Sequence, residues 1–152
     1  MALIRLQVPG SLEFRDLAVR VVAAACKLVP TGSDDVRAEF DNQVISAFGE
    51  AFNNAAIHSY RGRPLGTVEI EIEVEVSCIT LRICDYGVSF DPTQVEEPDL
   101  DALPESGMGL FIMRSFMDSV FYKAGAPNVL SMTKHLDAAG DGTSDVAEGG
   151  PR

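Results

Sequence analysis

The most regular pattern in the chain is an alternation of apolar and acidic residues from Thr67 to Val76. Val and Ile occupy every second position, and Glu occupies the positions between them. Successive side chains of a strand point to opposite faces of a sheet, so the pattern predicts a strand with one buried face and one acidic, solvated face. The segment Ile79–Cys84 predicts an antiparallel partner strand after a turn near Ser77.

Three further strands are predicted from shorter alternating segments. Ala2–Val8 alternates apolar and polar residues and is ended by Pro9 and Gly10. Two segments near the other end of the chain, Val120–Lys123 and Val129–His135, complete the predicted sheet.

Apolar residues spaced three and four apart predict helices between these strands. The first helix is predicted over Leu12–Leu28, with turn-forming residues after it. A second, longer helix begins at Ser33 or Asp34 and continues to about Tyr60, with Phe48 and Phe52 in its apolar stripe. A third helix is predicted from Gly107 to about Met117.

Two segments show no periodicity. Asp85–Ser106 is rich in acidic residues and proline, which predicts a long loop of the kind that is often functional. From Asp137 onward Gly, Ala, Asp and Ser dominate, so residues 137–152 are expected to form a disordered tail. One domain over residues 1–136 is therefore expected.

Composition narrows the possible functions. The 152 residues are 46% hydrophobic and 23% charged, which is sufficient for one buried core. The formal net charge of −11 excludes a general binder of nucleic acid backbones and favours basic protein surfaces as partners. No apolar run approaches the roughly 20 residues of a membrane span, and neither an export signal nor paired cysteines stand out, so a cytoplasmic protein is expected.

Three short motifs contain residues suited to chemistry. Glu50, Asn54 and His58 are spaced by four and therefore project along one side of the second helix, opposite its apolar stripe. An Asn carbonyl oxygen can bind Mg²⁺, and a Glu can accept a proton. The same row could equally be a solvated helix face, with His58 in a structural role.

The second motif is Asp85-Tyr86-Gly87, directly after a predicted strand. A carboxylate there can accept a hydrogen bond from an exocyclic amine, and Gly87 permits close approach of a planar ligand. An ordinary turn that uses Asp and Gly is the alternative.

The third motif is Ser106-Gly107-Met108-Gly109-Leu110, at the start of the third helix. Its glycines allow backbone N–H groups to approach an anion, and a helix N-terminus favours phosphate. A helix-capping turn explains the same residues.

The order of the three motifs resembles the N-box and two glycine boxes of the GHKL (Bergerat) ATP-binding fold. The segments EAFNNAAIHSY, from Glu50 to Tyr60, and SGMGLFIMRSFMD, from Ser106 to Asp118, resemble the anti-sigma-factor serine/threonine kinases of bacterial partner-switching systems. The resemblance covers about Leu3 to Leu136. It implies an α/β two-layer sandwich with helices on one face of a mixed, mostly antiparallel sheet.

The resemblance also implies a site for ATP and Mg²⁺. Glu50 matches the catalytic base, Asn54 the Mg²⁺ ligand, and Asp85 the contact to the adenine amine, while Phe90–Ser106 would be a mobile lid. The implied nucleotide-binding residues are Asn54, His58, Asp85, Gly87, Phe90, Ser106, Gly107, Met108, Gly109 and Leu110.

Two functional hypotheses follow from the resemblance. The first is an ATP-dependent kinase that phosphorylates an anti-sigma-factor antagonist with a STAS domain and sequesters a sigma factor, as a homodimer. The second is a nucleotide-dependent binding module that exchanges partners without phosphoryl transfer. Glu50 and Asn54 favour the first hypothesis. The second is kept open because Glu105 stands where the family often has a basic residue and Phe90–Ser106 contains no Lys or Arg.

Overall fold

Five antiparallel strands form one sheet in the computed structural model, which describes residues 1–89 and 108–136. Their order across the sheet is β1-β2-β3-β5-β4, and every pairing among the described residues is antiparallel. The predicted strands are confirmed to within two residues at each end. Their bounds are β1 (Ala2–Pro9), β2 (Thr67–Val74), β3 (Cys78–Asp85), β4 (Ser119–Lys123) and β5 (Asn128–His135).

The alternation in β2 divides the sheet into a buried and an open face, as predicted. Its Val and Ile side chains are buried against the helices, whereas Glu69, Glu71 and Glu73 are only partly covered. On this open face Arg82 of β3 donates to Glu73, with 2.7 Å between Nη2 and Oε2. Arg5 of β1 lies 3.4 Å from Glu71, so cross-strand ion pairs offset part of the acidic ladder.

The helices cover the other face of the sheet. A 3₁₀ turn (Leu12–Phe14) leads into α1 (Arg15–Cys26), followed by α2 (Asp34–Asn54) and α3 (Met108–Phe116). The Ser33 hydroxyl caps α2 by accepting from the Val36 N–H, which fits the predicted helix start. α2 lies between α1 and α3, and its Phe48 and Phe52 are fully buried. The predicted α/β two-layer sandwich is confirmed.

Arg37, near the start of α2, fastens the C-terminal end of α1. Its guanidinium donates to the carbonyl oxygens of Cys26 and Val29, and it pairs with Asp41 at 3.4 Å. The last carbonyl groups of a helix have no partner within the helix, so Arg37 adds a donor at the last residue of α1 and a second one in the turn that follows it.

The second helix extends to Ser59, close to the predicted end at about Tyr60, but its last turn is not α-helical. Residues Ala55–Ser59 form a π-helical turn that widens the end of α2. A tertiary contact accompanies this turn, because the Ser59 carbonyl oxygen accepts from the Val88 N–H at 2.8 Å. A period of 3.6 residues in the sequence does not encode such a contact.

Two predicted segments, the loop over Phe90–Ser106 and the tail over 137–152, lie outside the described residues. Within the described ranges, no helix combines the length and apolar character needed to cross a bilayer.

Candidate functional site

A cleft opens where the end of α2 meets β3, β5 and β4. It is open to solvent, and its empty space is about 290 Å³ when the part that merges with bulk solvent is included. Its walls combine apolar side chains with a few polar groups, as is typical of small-molecule sites. The lining residues are Ala51, Asn54, Ala55, Ser59, Ile83, Asp85, Tyr122 and Leu130.

Asp85 is the acidic residue of this cleft and ends β3. Its side chain is nearly buried, with 6% of the residue exposed. Oδ1 accepts from the Gly87 N–H and from Nδ2 of Asn128, both at 3.0 Å. Among the described residues, none donates to Oδ2. The carboxylate is thus fixed through one oxygen, and the other retains its capacity to accept a hydrogen bond.

Asn128, the first residue of β5, is a site residue that sequence reasoning missed. It is fully buried and bonds through both side-chain atoms to the turn after β3. One signal in the sequence could have identified it. In an alternating strand, position 128 falls on the same face as Leu130 and Met132, which are buried. A polar residue at an inward position requires a partner.

Gly87 lies directly against the π-helical turn. A Cβ placed on it would be 1.9 Å from the Ser59 carbonyl oxygen. The sequence suggested that this glycine permits a planar ligand to approach the backbone. In the structure the close approach is made by the backbone of Ser59, and the Asp85–Gly87 bond forms the ordinary Asx turn that was the alternative.

Tyr60 ties the same turn to the start of β2. Its hydroxyl donates to the Thr67 carbonyl at 2.6 Å and accepts from the Tyr86 N–H at 3.1 Å. Its ring fills the space beside Gly10 and Gly66, where a Cβ would lie 2.7 and 2.2 Å from ring carbons. Tyr60 therefore joins the two loops next to the cleft, although sequence reasoning gave it no role.

The structure places the three residues of the row Glu50, Asn54 and His58 in different surroundings. Asn54 lines the cleft with Asp85. Glu50 is half-buried and faces α3, where a Cβ on Gly109 would lie 3.0 Å from its Oε2. His58 lies in the π-helical turn, and partial burial lowers its pKa, with Arg61 adding to the effect.

The glycine-box residues are only partly described. Met108, Gly109 and Leu110 form the first turn of α3, and the Leu110 side chain is buried in the core. A ligand contact from Leu110 would therefore come from its backbone. Phe90, Ser106 and Gly107 lie outside the described residues.

The residues present fit a nucleotide and its metal ion. Ile83, Leu130 and Ala55 offer an apolar surface for a planar base, next to the acceptor of Asp85. The described ranges contain no cluster of three or more acidic, His or Cys residues that could bind a metal ion by themselves. Mg²⁺ bound with a nucleotide needs only one or two protein ligands, since phosphate oxygens and water complete its shell, and the amide oxygen of Asn54 can supply one.

Comparison with known proteins gives the family of the chain. Residues 12–134 match the family described as histidine kinase-like ATPase domain. An anti-sigma F factor of Clostridium beijerinckii is 36% identical over 109 residues, covering 67% of this chain and 70% of the relative. An anti-sigma F factor of Bacillus cytotoxicus is 37% identical over 106 residues, covering 67% and 68% of the two chains.

A longer match is found with the serine-protein kinase RsbW of Staphylococcus aureus. That protein is 30% identical over 143 residues, which cover 88% of this chain and 86% of the relative. The chain belongs to the histidine kinase-like ATPase family, within its GHKL group of anti-sigma-factor kinases.

Proposed function

We propose that this protein is an ATP-dependent serine/threonine kinase and anti-sigma factor. In this proposal it phosphorylates an anti-sigma-factor antagonist with a STAS domain and sequesters a sigma factor. The observation that carries the proposal is the arrangement of Asn54 and Asp85 in one cleft, with Glu50 one turn earlier on α2 and facing the start of α3.

Asp85 and the apolar floor of the cleft would bind the adenine base. Oδ2 of Asp85, to which no residue of the described ranges donates, is an acceptor suited to the exocyclic amine, and Ile83 and Leu130 are placed to pack against the ring. Such a cleft selects a base by one directed hydrogen bond and by apolar contact.

Asn54, Gly107 and Gly109 would act on the phosphate side. The Asn54 amide oxygen would bind Mg²⁺, and backbone N–H groups at the start of α3 would approach the phosphates. When bound, Mg²⁺ supplies neutralisation of the phosphate charge, which is a main contribution to catalysis of phosphoryl transfer.

Glu50 would accept the proton of the Ser or Thr hydroxyl of the partner protein. Its carboxylate is half-buried against Gly109, close to where the phosphate side of the site begins. In this position it would orient the hydroxyl oxygen towards the γ-phosphoryl group. It would receive the hydroxyl proton as the new P–O bond forms, while the bond from the γ-phosphorus to the bridging oxygen breaks and ADP leaves.

The relatives named anti-sigma F factor and serine-protein kinase support both parts of the proposal. The net charge of −11 suits a basic protein surface as partner rather than nucleic acid. The proposal includes a cytoplasmic location and a homodimer. Among the strands that the structure describes, β1 is an outer one, so the β1 and α1 region is a candidate dimer contact.

A capture experiment tests the proposal. The tagged protein is incubated with native cytosol and either ADP or γ-³²P-labelled ATP, and the retained proteins are identified. We expect retention of a sigma factor and label on a Ser or Thr of a STAS-domain protein. Nucleotide-dependent retention without label would instead favour the binding module without phosphoryl transfer.

Asp85→Asn is the control for the nucleotide site. It replaces an acceptor by an amide of the same shape, so nucleotide binding and label should both be lost. Label on the same partner with the Asp85→Asn variant would contradict the proposed adenine contact.

A further inference from the structure

We propose that Asn128 is the positioning residue that makes the cleft selective for an adenine base, acting through Asp85. This inference rests on the proposed nucleotide-binding function. Asn128 itself makes no contact with the base in this proposal. It fixes the Asp85 carboxylate by one oxygen, so that the other is presented to the ligand.

The orientation of the Asn128 amide is determined by its partners. Nδ2 donates to Oδ1 of Asp85 and to the Gly87 carbonyl oxygen, both at 3.0 Å. Oδ1 accepts from Ser89 Oγ at 2.7 Å and from the Gly125 N–H at 2.9 Å. Because a carboxylate and a carbonyl only accept, the nitrogen must face Asp85 and Gly87.

Complete burial makes this amide rigid. None of the Asn128 surface is exposed, and both of its donors and both acceptor positions are used. Rotating the amide would break four hydrogen bonds and leave buried polar groups unpaired, which is costly. The hydrogen bond to Asp85 is therefore available before any ligand binds.

The two carboxylate oxygens of Asp85 therefore differ in the hydrogen bonds that they accept. Oδ1 receives two N–H groups, from Asn128 and Gly87, whereas no described residue donates to Oδ2. A base with an amine at this point gains a hydrogen bond, while a base with a carbonyl places two acceptors together. Holding Oδ2 in place thus favours adenine over a 6-oxo purine.

The test uses Asn128→Asp, which preserves shape but removes the donor. The two carboxylates would then lie about 3.0 Å apart, so Asp85 should rotate or share a proton. At pH 7.5 we expect calorimetry to show ADP affinity lowered by about tenfold. The affinity for purine riboside diphosphate, which lacks the 6-amine, should change by less than about threefold, because the lost hydrogen bond involves that amine.

The pH dependence of ADP affinity in Asn128→Asp distinguishes a positioning role of Asn128 from a role in packing alone. Two adjacent carboxylates share one proton at higher pH than a single carboxylate does. At pH 5.5 the protonated pair should restore the donor, and ADP affinity should return to within about threefold of the wild-type value at that pH.

Other titratable groups near Asp85 and residue 128 do not account for a recovery of ADP affinity at pH 5.5. Burial raises the pKa of the Tyr60 hydroxyl and of the Cys84 thiol, so neither changes charge between pH 5.5 and 7.5. His58 titrates in the wild-type protein as well, and measuring both proteins at each pH removes its contribution.

Ser131→Ala is the matched control, on the same strand but on the open face of the sheet. It should leave both affinities within about twofold of wild type. If Asn128→Asp lowers the two affinities equally and does not recover at pH 5.5, Asn128 has a structural role alone and the inference is overturned. If wild type binds neither nucleotide, the proposed function itself fails.

A measurement on the wild-type protein covers the case in which Asn128→Asp does not fold. With ¹⁵N-labelled asparagine, the side-chain amide resonances of Asn128 should shift when ADP is added and shift less with purine riboside diphosphate. Equal shifts with both nucleotides would overturn the inference.

Discussion

The peptide backbone of Ser59 occupies the space in which a side chain on Gly87 would lie. A Cβ on Gly87 would be 1.9 Å from the Ser59 carbonyl oxygen and 2.4 Å from its carbonyl carbon. Both atoms are backbone, and the Val88 N–H donates to the same oxygen at 2.8 Å. The π-helical turn and the turn after β3 therefore fit together only with glycine at position 87.

Gly87→Ala should consequently destabilise the fold as well as the cleft. Because backbone atoms must move to admit the methyl group, we expect the free energy of unfolding to fall by about 3 kcal/mol or more. Urea denaturation measures this change. Gly32→Ala is the control, since a Cβ there meets nothing within 4 Å, and its effect should stay within about 0.5 kcal/mol. Equal stability of the two variants would contradict the contact.

Glu50→Gln should separate binding from phosphoryl transfer. The substitution keeps the shape of the side chain beside Gly109 but removes its capacity to accept a proton. We expect ATP affinity within about threefold of wild type and a transfer rate lowered by about 10²-fold or more. Calorimetry and a labelled-ATP assay with the antagonist measure the two quantities. Unchanged transfer would exclude Glu50 as the base.

Tyr60→Phe should lower stability without changing the packing of the ring. The loss of one hydroxyl leaves the Thr67 carbonyl and the Tyr86 N–H without their partner. Partly buried groups left unpaired cost about 1–3 kcal/mol, which chemical denaturation would detect. Tyr86→Phe removes a hydroxyl from a residue that is 51% exposed, so it should cost less than about 0.5 kcal/mol. If Tyr60→Phe is as stable as Tyr86→Phe, the hydrogen bonds of the Tyr60 hydroxyl do not stabilise the two loops.

His58 should make the folded state less stable in mild acid. Its folded pKa lies below 6.5 because partial burial disfavours the charged imidazolium. The unfolded chain therefore binds more protons in this range, so stability is complete above pH 6.5 and decreases as the pH falls through the folded pKa. Denaturant midpoints between pH 5 and 8 measure the slope. His58→Gln should flatten it, and an unchanged slope would assign the effect to other groups.

The sequence predicted the strands of this fold well because they follow from hydrophobic periodicity. The alternation from Thr67 to Val76 could bury only one face, and the structure places its Glu residues on the open face. The cap at Ser33 was also predictable, since the interaction is local. Each of these features depends on residues close together in the chain.

The parts of the site that were not predicted depend on distant residues. Asn128 meets Asp85 across 43 positions, and the π-helical turn occurs where Ser59 contacts Val88. Tyr60 was part of a recognised motif, but its position beside Gly10 and Gly66 required the packed loops. Local patterns do not specify such contacts, because they arise only after β3 and β5 have paired.

The position of β5 between β3 and β4 has a consequence for protein synthesis. Asp85 leaves the ribosome long before Asn128, and its carboxylate has no amide partner from β5 until that strand has been made and has paired with β3. The hydrogen-bonded surroundings of Asp85 are therefore completed late in translation. A nascent chain that already contains the motifs from Glu50 to Gly87 still lacks the strand that fixes Asp85, so this carboxylate is held by Asn128 only once β5 has joined the sheet.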